Sequence, residues 1–561
     1  MNKFENYIIK KKDSFKEVLA ILNSGEWHEK GLGVVLENDK VIGTITDGDI
    51  RRCLLYNNKY TSEIFAEEIM NPDPIVFEEN ELDTILDDFA NKLAERRGKL
   101  KWVTLVDENR NLKNILNIET VTNTNPKISV IGLGYVGLTL ALVLSDKNFK
   151  VQGVEANEAV LSDLKRNKTH IREPKIEKFL ETQVGKNLEL TNSLDPKNDV
   201  YIVTVGTPVQ RTGNEFELNK SYLEVVTNDL CKVLKRGDLI IFRSTVSIGT
   251  CREALRKIEK GTGFKCGFDF YLSFAPERTE EGNALKELTE LPQLIGGFDK
   301  VSTLKTANIF RKVTNTIITL NSLEEAEMSK LLNNTFRDYV FGFSNYVSRL
   351  AASKGIDIIN VINAANKDYP RNPIPLPSPG VGGPCLTKDP FIMSESFSDA
   401  LDPIFVKSRM ENENMITYVV SSVLNILERL SIVPEEAKIL ILGLAFKGNP
   451  KTGDLRNSTS IEIHDRLKPL VGNLYGFDYE ADETECLDLG VNFLRDFEKR
   501  LDEMDAILIL NNHIKFKELD FSKTNFTKQV ILFDPWSLFQ VHQFKDQPHL
   551  NYSSISKAYY K

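Results

Sequence analysis

A short apolar run, Ser129-Val130-Ile131, ends in Gly132-Leu133-Gly134-Tyr135-Val136-Gly137 and passes straight into a second apolar run. A strand that turns through glycines of this spacing into a helix commits the chain to a sheet with crossover helices, and to a phosphate at the helix start. Gly132 permits the tight turn, Gly134 lets a pyrophosphate approach the backbone, and Gly137 allows helix and sheet to touch. Downstream, Val151-Gln152-Gly153-Val154-Glu155 is a second strand that ends in an acid at the expected distance. Glu155 is placed to accept hydrogen bonds from ribose hydroxyls. Its charge repels a 2′-phosphate, which favours NAD over NADP, although Lys165 and Arg166 lie nearby.

At 561 residues the chain is too long for one core, so three or four domains are expected. Apolar strands at 128–133, 151–155, 199–205 and 239–243 predict a largely parallel sheet. From 323 to 430 the pattern becomes helical, with long amphipathic runs at 322–352 and 406–430 suited to dimer contact or to an internal core. A second α/β unit begins at 437–444 and continues through 507–510 and 530–534. Ahead of the fingerprint, Phe15, Val18, Leu19 and Leu22 share a helical face behind a possible Ser14 cap, and strands are expected at 33–36 and 41–45. The pattern loosely recurs at 82–89 and 102–109, which suggests a duplicated module. A polar link at 122–127 closes it. The expected fold class is α/β: units at 127–322 and 431–561 with parallel sheets, a helical unit at 323–430, and a small α+β module at 1–122.

The formal charge of -9, with both signs mixed along the chain, argues against a nucleic-acid surface. The six cysteines are scattered without metal-ligand spacing, which fits a reducing compartment and argues against a structural zinc; no metal is expected. The first residues lack a signal-peptide core and no later segment has the apolar length to span a bilayer, so the expectation is a soluble, cytoplasmic protein without membrane or nucleic-acid partners.

One cysteine stands apart. Cys385 lies in Pro379-Gly380-Val381-Gly382-Gly383-Pro384-Cys385-Leu386-Thr387-Lys388-Asp389, with Asp389 four residues on, and a helix start or neighbouring cation would raise its thiolate fraction. Lys330 and Asn334 are one helical turn apart and can face one site, where an ammonium and an amide stabilise a developing oxyanion; an exposed amphipathic helix is the bland alternative. Glu277 and Glu281 follow an apolar strand and could orient water or bind sugar hydroxyls, or be simple turn acids. Gly206-Thr207-Pro208 and Ser244-Thr245-Val246 follow strands where α/β ligands gather, and helix capping is the structural alternative for Thr245.

These segments, with Ala275-Pro276-Glu277-Arg278 and Gly443-Leu444-Ala445-Phe446-Lys447 in the same order, make the chain resemble the nucleotide-sugar dehydrogenases over about residues 127 to 550. The resemblance implies two Rossmann-like domains joined by a central helical domain, with UDP-sugar bound by the second. It implies Cys385 as nucleophile, Lys330 as general acid-base, Asn334 as oxyanion partner, Asp389 as assisting aspartate and Thr245 as organiser of water. Glu277 matches the glutamate of thioester hydrolysis and Glu281 a second acid near the water network. Gly132, Gly134, Tyr135, Val136, Gly137, Glu155, Thr207, Pro208, Thr245, Glu281, Lys388 and Arg456 are implied at the NAD site. Glu277, Lys330, Asn334, Arg371, Gly382 and Lys447 are implied at the substrate, with Arg456 also resembling a sugar-nucleotide position. The implied reaction is a four-electron oxidation of a sugar C6 alcohol to the carboxylate with two NAD used in sequence, through a thiohemiacetal and a thioester on Cys385. Gly380-Val381-Gly382-Gly383 and Asp389-Pro390 lean toward the N-acetylhexosamine branch, so UDP-N-acetylglucosamine or UDP-N-acetylmannosamine is preferred. Pro384 stands where a histidine is often found and Leu386-Thr387-Lys388 is similar to the glucose branch, which keeps UDP-glucose in view.

Val41 to Arg52 resembles the end of a CBS domain, so the front module reads as a CBS pair. Thr46 and Asp49 would meet a nucleotide ribose and Arg51 or Arg52 its phosphate, giving a possible nucleotide effector. The resemblance also implies a homodimer or larger homo-oligomer. Two other readings stay open: a retired UDP-sugar sensor, and a two-electron oxidoreductase that releases its aldehyde or ketone.

Overall fold

The computed structural model describes residues 7–24, 32–57, 59–74, 76–78, 102–117, 125–212, 215–371, 373–397 and 404–555. In the front module, Ile8–Lys10, Leu32–Glu37 and Lys40–Thr46 form one three-stranded sheet, and Val76–Glu78, Trp102–Val106 and Leu112–Asn117 form another. In each, the first pair is parallel and the second antiparallel, with a register shift at Val35/Leu36 in one and Leu105/Val106 in the other. The two sheets thus share one arrangement; the helical run expected at 82–89 lies outside the described residues. The module docks on the next domain. Tyr7 meets Phe268 edge-on with ring centroids 5.9 Å apart, the Asn114 side-chain amide donates to the Gly267 carbonyl at 3.2 Å, and Val103 and Leu105 join the buried cluster that contains Ile128 and Val130.

The apolar runs from residue 128 onward build an eight-stranded sheet in the order Ile317–Leu320, Gln293–Gly297, Tyr271–Phe274, Leu239–Phe242, Val200–Val203, Ile128–Ile131, Val151–Val154, Leu188–Thr191. Only the pair Tyr271–Phe274 and Gln293–Gly297 is antiparallel. The central strands are buried along their whole length, as expected where helices cover both faces. The chain order reverses between Ile128–Ile131 and Val200–Val203, which opens a crevice at their carboxyl ends.

Two long helices follow, Leu323–Ser353 and Ile404–Arg429, with Ser322 capping the first through a hydrogen bond from the Glu325 amide at 3.1 Å. The glycine-rich segment lies between them and leads into the short helix Asp389–Glu395. The last unit is a parallel sheet ordered Asn492–Phe493, Asn473–Phe477, Lys438–Leu442, Ala506–Ile509, Val530–Phe533, Leu550–Ser553, and it reverses between Lys438–Leu442 and Ala506–Ile509. Among the described residues no helix is long and apolar enough to cross a membrane.

Candidate active site

The fingerprint forms the turn its glycines predict. Gly132 has φ +91, and a Cβ on Gly137 would stand 1.9 Å from the Gly132 carbonyl oxygen and 2.5 Å from Thr204 Oγ1, so helix and strand meet at a distance only glycine permits. A Cβ on Gly134 would meet nothing within 4 Å, and Gly134 precedes the helix Tyr135–Asp146, whose first turn carries Tyr135 and Val136. Glu155 accepts from the Leu133 amide and the Asn157 amide, both at 2.9 Å, which fixes its carboxylate at the rim of the crevice. An open backbone at a helix start, with a carboxylate beside it, suits a dinucleotide. Thr207, buried, donates to the Thr245 carbonyl at 2.5 Å and so ties together the loops after two adjacent strands; Pro208 is exposed beside it. The sequence reading missed Glu173. This buried acid accepts from the Tyr135 hydroxyl and, at 2.9 Å, from the Gly282 amide, clamping the segment after Glu281 onto the fingerprint helix.

Across the crevice stands the face of the helix Leu323–Ser353. Glu327 is buried and accepts from the Gly249 and Cys251 amides at 2.6 and 2.8 Å, which anchors this helix to the next one, Thr250–Thr262. One turn on, Lys330 and Asn334 are 8% and 9% exposed, so they face protein and not bulk water. Asn334 donates to Asp389 Oδ2 at 2.6 Å, and Lys388 Nζ donates to Asp389 Oδ1 at 2.9 Å. The Cys385 carbonyl accepts from the Lys388 and Asp389 amides, a single turn that sets the thiol beside its carboxylate. Water reaches Cys385, yet protein surrounds the thiol on most sides. Burial pushes it above the ordinary range and Asp389 adds to this, while Lys330 and Lys388 pull the other way. The neighbouring cations expected from sequence are present and act in the expected direction, but they do not reverse the upward shift. Burial and the Asp389 charge outweigh them.

The cysteine loop is held from below by a network that sequence reading also missed. Arg409, 1% exposed, donates to Asp338 Oδ1 at 2.7 Å and to the Val381 carbonyl at 2.9 Å. Asn412 donates to Asp338 Oδ1 at 2.8 Å, Asn345 donates to Asn412 at 2.8 Å, and the Ser378 amide donates to Asn345 at 2.8 Å. From the other side, the Gly383 amide donates to the Asn457 carbonyl at 3.0 Å. A Cβ on Gly382 would stand 2.4 Å from that same carbonyl oxygen, so the loop and the last domain touch backbone to backbone.

The last domain reaches the same crevice. Lys447 Nζ donates to Glu280 Oε1 at 3.0 Å and to the Glu281 carbonyl at 3.1 Å, and Arg456 donates to Glu281 Oε1 at 3.0 Å and to Asp454. Burial and the facing Asp454 push Glu281 up to about 7, with Arg456 and Lys447 opposing them. Cys385, Lys330, Lys388, Asp389, Glu281 and Arg456 thus fall within one field. Arg371 is not joined to it: it is exposed, with its guanidinium 5.9 Å from the Tyr369 ring centre. In the front module the Thr46 amide and hydroxyl donate to Asp49 at 2.8 and 2.6 Å, and Arg52, not Arg51, pairs with Asp49 at 2.5 Å. Arg51 is exposed.

Comparison with known proteins bears on the same segments. Models of the UDP-glucose/GDP-mannose dehydrogenase family match in sequence: its NAD binding domain over residues 126–314, its central domain over 324–414 and its UDP binding domain over 440–541. A CBS domain model matches residues 1–56. The UDP-N-acetyl-D-mannosamine dehydrogenase of Pyrococcus horikoshii is 32% identical over 400 residues, covering 70% of this chain and 91% of that protein. The protein of the same description from Campylobacter jejuni is 30% identical over 410 residues, covering 71% and 98%. Among solved structures, the UDP-D-ManNAc dehydrogenase from Pyrococcus horikoshii superposes with a TM-score of 0.68 at 29% identity, covering 77% of this chain and 99% of that one. The UDP-N-acetyl-mannosamine dehydrogenase from Staphylococcus aureus gives 0.66 at 26%, covering 77% and 98%.

Proposed function

The chain belongs to the UDP-glucose/GDP-mannose dehydrogenase family and is an NAD-dependent nucleotide-sugar dehydrogenase, and from that premise we propose that it oxidises C6 of UDP-N-acetylmannosamine to the uronate. The observation that carries the chemistry is the meeting of Cys385, Lys330 and the Asn334–Asp389 pair at the mouth of the dinucleotide crevice. The choice of sugar is supported by the relatives described above. NAD, when bound, accepts a hydride in each of two turns. Lys330, in its amine form for this step, takes the C6 hydroxyl proton as the first hydride leaves, giving the aldehyde. Cys385 then adds to that carbonyl carbon, its proton passing to the carbonyl oxygen to give the thiohemiacetal, and Asn334 stabilises the tetrahedral oxygen. Loss of the second hydride from C6, with the hydroxyl proton passing to the Lys330 amine, leaves a thioester on Cys385. Water held near Asp389, Thr245 and Glu277 cleaves it, returning the thiol and the carboxylate. One alcohol and one water become one carboxylate, with four electrons carried away. The test supplies UDP-N-acetylmannosamine, UDP-N-acetylglucosamine and UDP-glucose separately in limiting amount: two NADH per sugar with uronate product identifies the substrate, and one NADH with free aldehyde would overturn the cysteine chemistry.

The working unit is a homodimer built on the helix Leu323–Ser353. Leu332, Phe336, Phe343 and Leu350 run along it as a stripe, and each is at least half exposed, an apolar face that suits a second copy. Phe336→Glu is expected to convert the dimer to monomer in sedimentation equilibrium. Regulation by a nucleotide at Thr46 and Asp49 is proposed for the front module, whose Asp49 is already held beside Thr46.

A further inference from the structure

Next to the reacting groups lies a buried cation that this chemistry does not use. Arg243 follows the strand Leu239–Phe242, and its side chain is 1% exposed. Its Nη2 donates to Glu277 Oε2 at 2.5 Å, and its Nη1 donates to the Ala275 carbonyl at 2.8 Å and to Gln293 Oε1 at 2.9 Å. Beneath it the Phe310 ring centre lies 5.4 Å from the guanidinium carbon. The second Glu277 oxygen accepts from the Thr279 amide at 2.6 Å. Both oxygens are therefore gripped by donors fixed to backbone or core, and the carboxylate cannot turn.

We propose that Arg243 is a positioning residue for the oxidation: it fixes Glu277 as a permanent carboxylate facing Lys330, so that Glu277 works by charge and by accepting a hydrogen bond rather than by carrying a proton. The inference rests on the dehydrogenase reading above and narrows the part Glu277 plays in it. A buried carboxyl without a counter-ion takes up a proton. Here burial pushes Glu277 up, but Arg243, the Thr279 amide and Lys330 outweigh it and hold the group below its ordinary range. The charged groups that face Glu277 are Arg243 at its strand end, Lys330 on the long helix, Arg278 beside it and Glu287 on the helix Ala284–Glu290. Three of the four are cations, and only Arg243 touches the carboxylate.

The test compares Arg243→Gln, Arg243→Lys, Glu277→Gln and the double variant Arg243→Gln/Glu277→Gln in the full-length protein. In Arg243→Gln, kcat is expected to fall about 100-fold at pH 7 with the KM for NAD little changed, and much of the loss to return by pH 9 as Glu277 ionises again. Arg243→Lys should restore part of the rate at pH 7. The double variant should be no slower than Glu277→Gln and should show no recovery at high pH. An equal loss at every pH, or losses that multiply in the double variant, would overturn the proposal. Thermal unfolding supplies a readout that needs no turnover. Without its cation, Glu277 has a folded pKa raised above its unfolded value, so that variant loses stability as pH rises. The melting gap between wild type and Arg243→Gln should widen from pH 5 to pH 8, and the widening should vanish in the Glu277→Gln background. A widening gap in a protein that turns over no UDP-sugar would sink the dehydrogenase reading and keep the Arg243–Glu277 assignment. Turnover with a flat gap would do the reverse.

Discussion

Cys385→Ala will stop uronate formation while leaving a folded protein. The loss is expected to be at least about a thousand-fold, because the variant has no atom to capture the aldehyde and hold it for the second oxidation. Folding should survive, since water already reaches Cys385 and the loop around it is held by Arg409 and Asn457 rather than by the thiol. Cys385→Ser tests the same point more narrowly. It keeps the size and puts an oxygen nucleophile in place of sulfur, but an alkoxy leaving group departs far less readily than a thiolate, so the second stage should stall as an ester on the protein. Intact-protein mass after incubation with UDP-sugar and NAD reads this directly as the added mass of the whole UDP-uronoyl group. Normal uronate yield from either variant would remove Cys385 from the mechanism.

Arg409→Met will have the largest effect on stability. Asp338 is fully buried, and burial already pushes it up to about 6 with Arg409 beside it. Taking the cation away leaves a sealed carboxyl supported only by Asn412, and breaking such a pair costs about 3–5 kcal/mol. Urea unfolding should show that loss. Activity should fall with it, because the Val381 carbonyl loses its donor three residues before Pro384 and the cysteine loop is no longer drawn down onto the helices. A double change, Asp338→Leu/Arg409→Met, separates the two effects. It removes both charges and should recover much of the stability. It should not recover the rate, since nothing then holds Val381. A single variant as stable as wild type would show that the pair is not needed for the fold.

Some of this was legible in the chain and some was not, for a physical reason. Gly132 to Gly137 and Gly380 to Asp389 are local devices: the backbone shape they impose is written in adjacent residues. Lys330 and Asn334 sit one turn apart on a helix, so their common face follows from helix geometry. Arg243 and Glu277 are 34 residues apart, Tyr135 and Glu173 are 38 apart, and Asp338 and Arg409 are 71 apart. Pairs like these are made by the sheet order and by the crossing of the long helices. A signal did exist: Arg243 caps an all-apolar strand, and a charge in such a place must have a partner. The sequence could not say which acid it was. The thiol shows the opposite case. Its neighbouring lysines are visible in the chain, but the burial that outweighs them belongs only to the fold.

The docking of the front module sets where this chain can be shortened. Val103 and Leu105 fill the same buried cluster as Ile128 and Leu304, Tyr7 covers Phe268, and Asn114 caps the Gly267 carbonyl. A cut in the polar link near residue 125 would therefore not release a self-sufficient enzyme: it would strip a patch of apolar side chains bare and leave a carbonyl without its donor. The seam between the front module and the next domain is closed by these contacts, and anyone trimming the protein to its catalytic portion would need to redesign the exposed side of that seam with polar residues first.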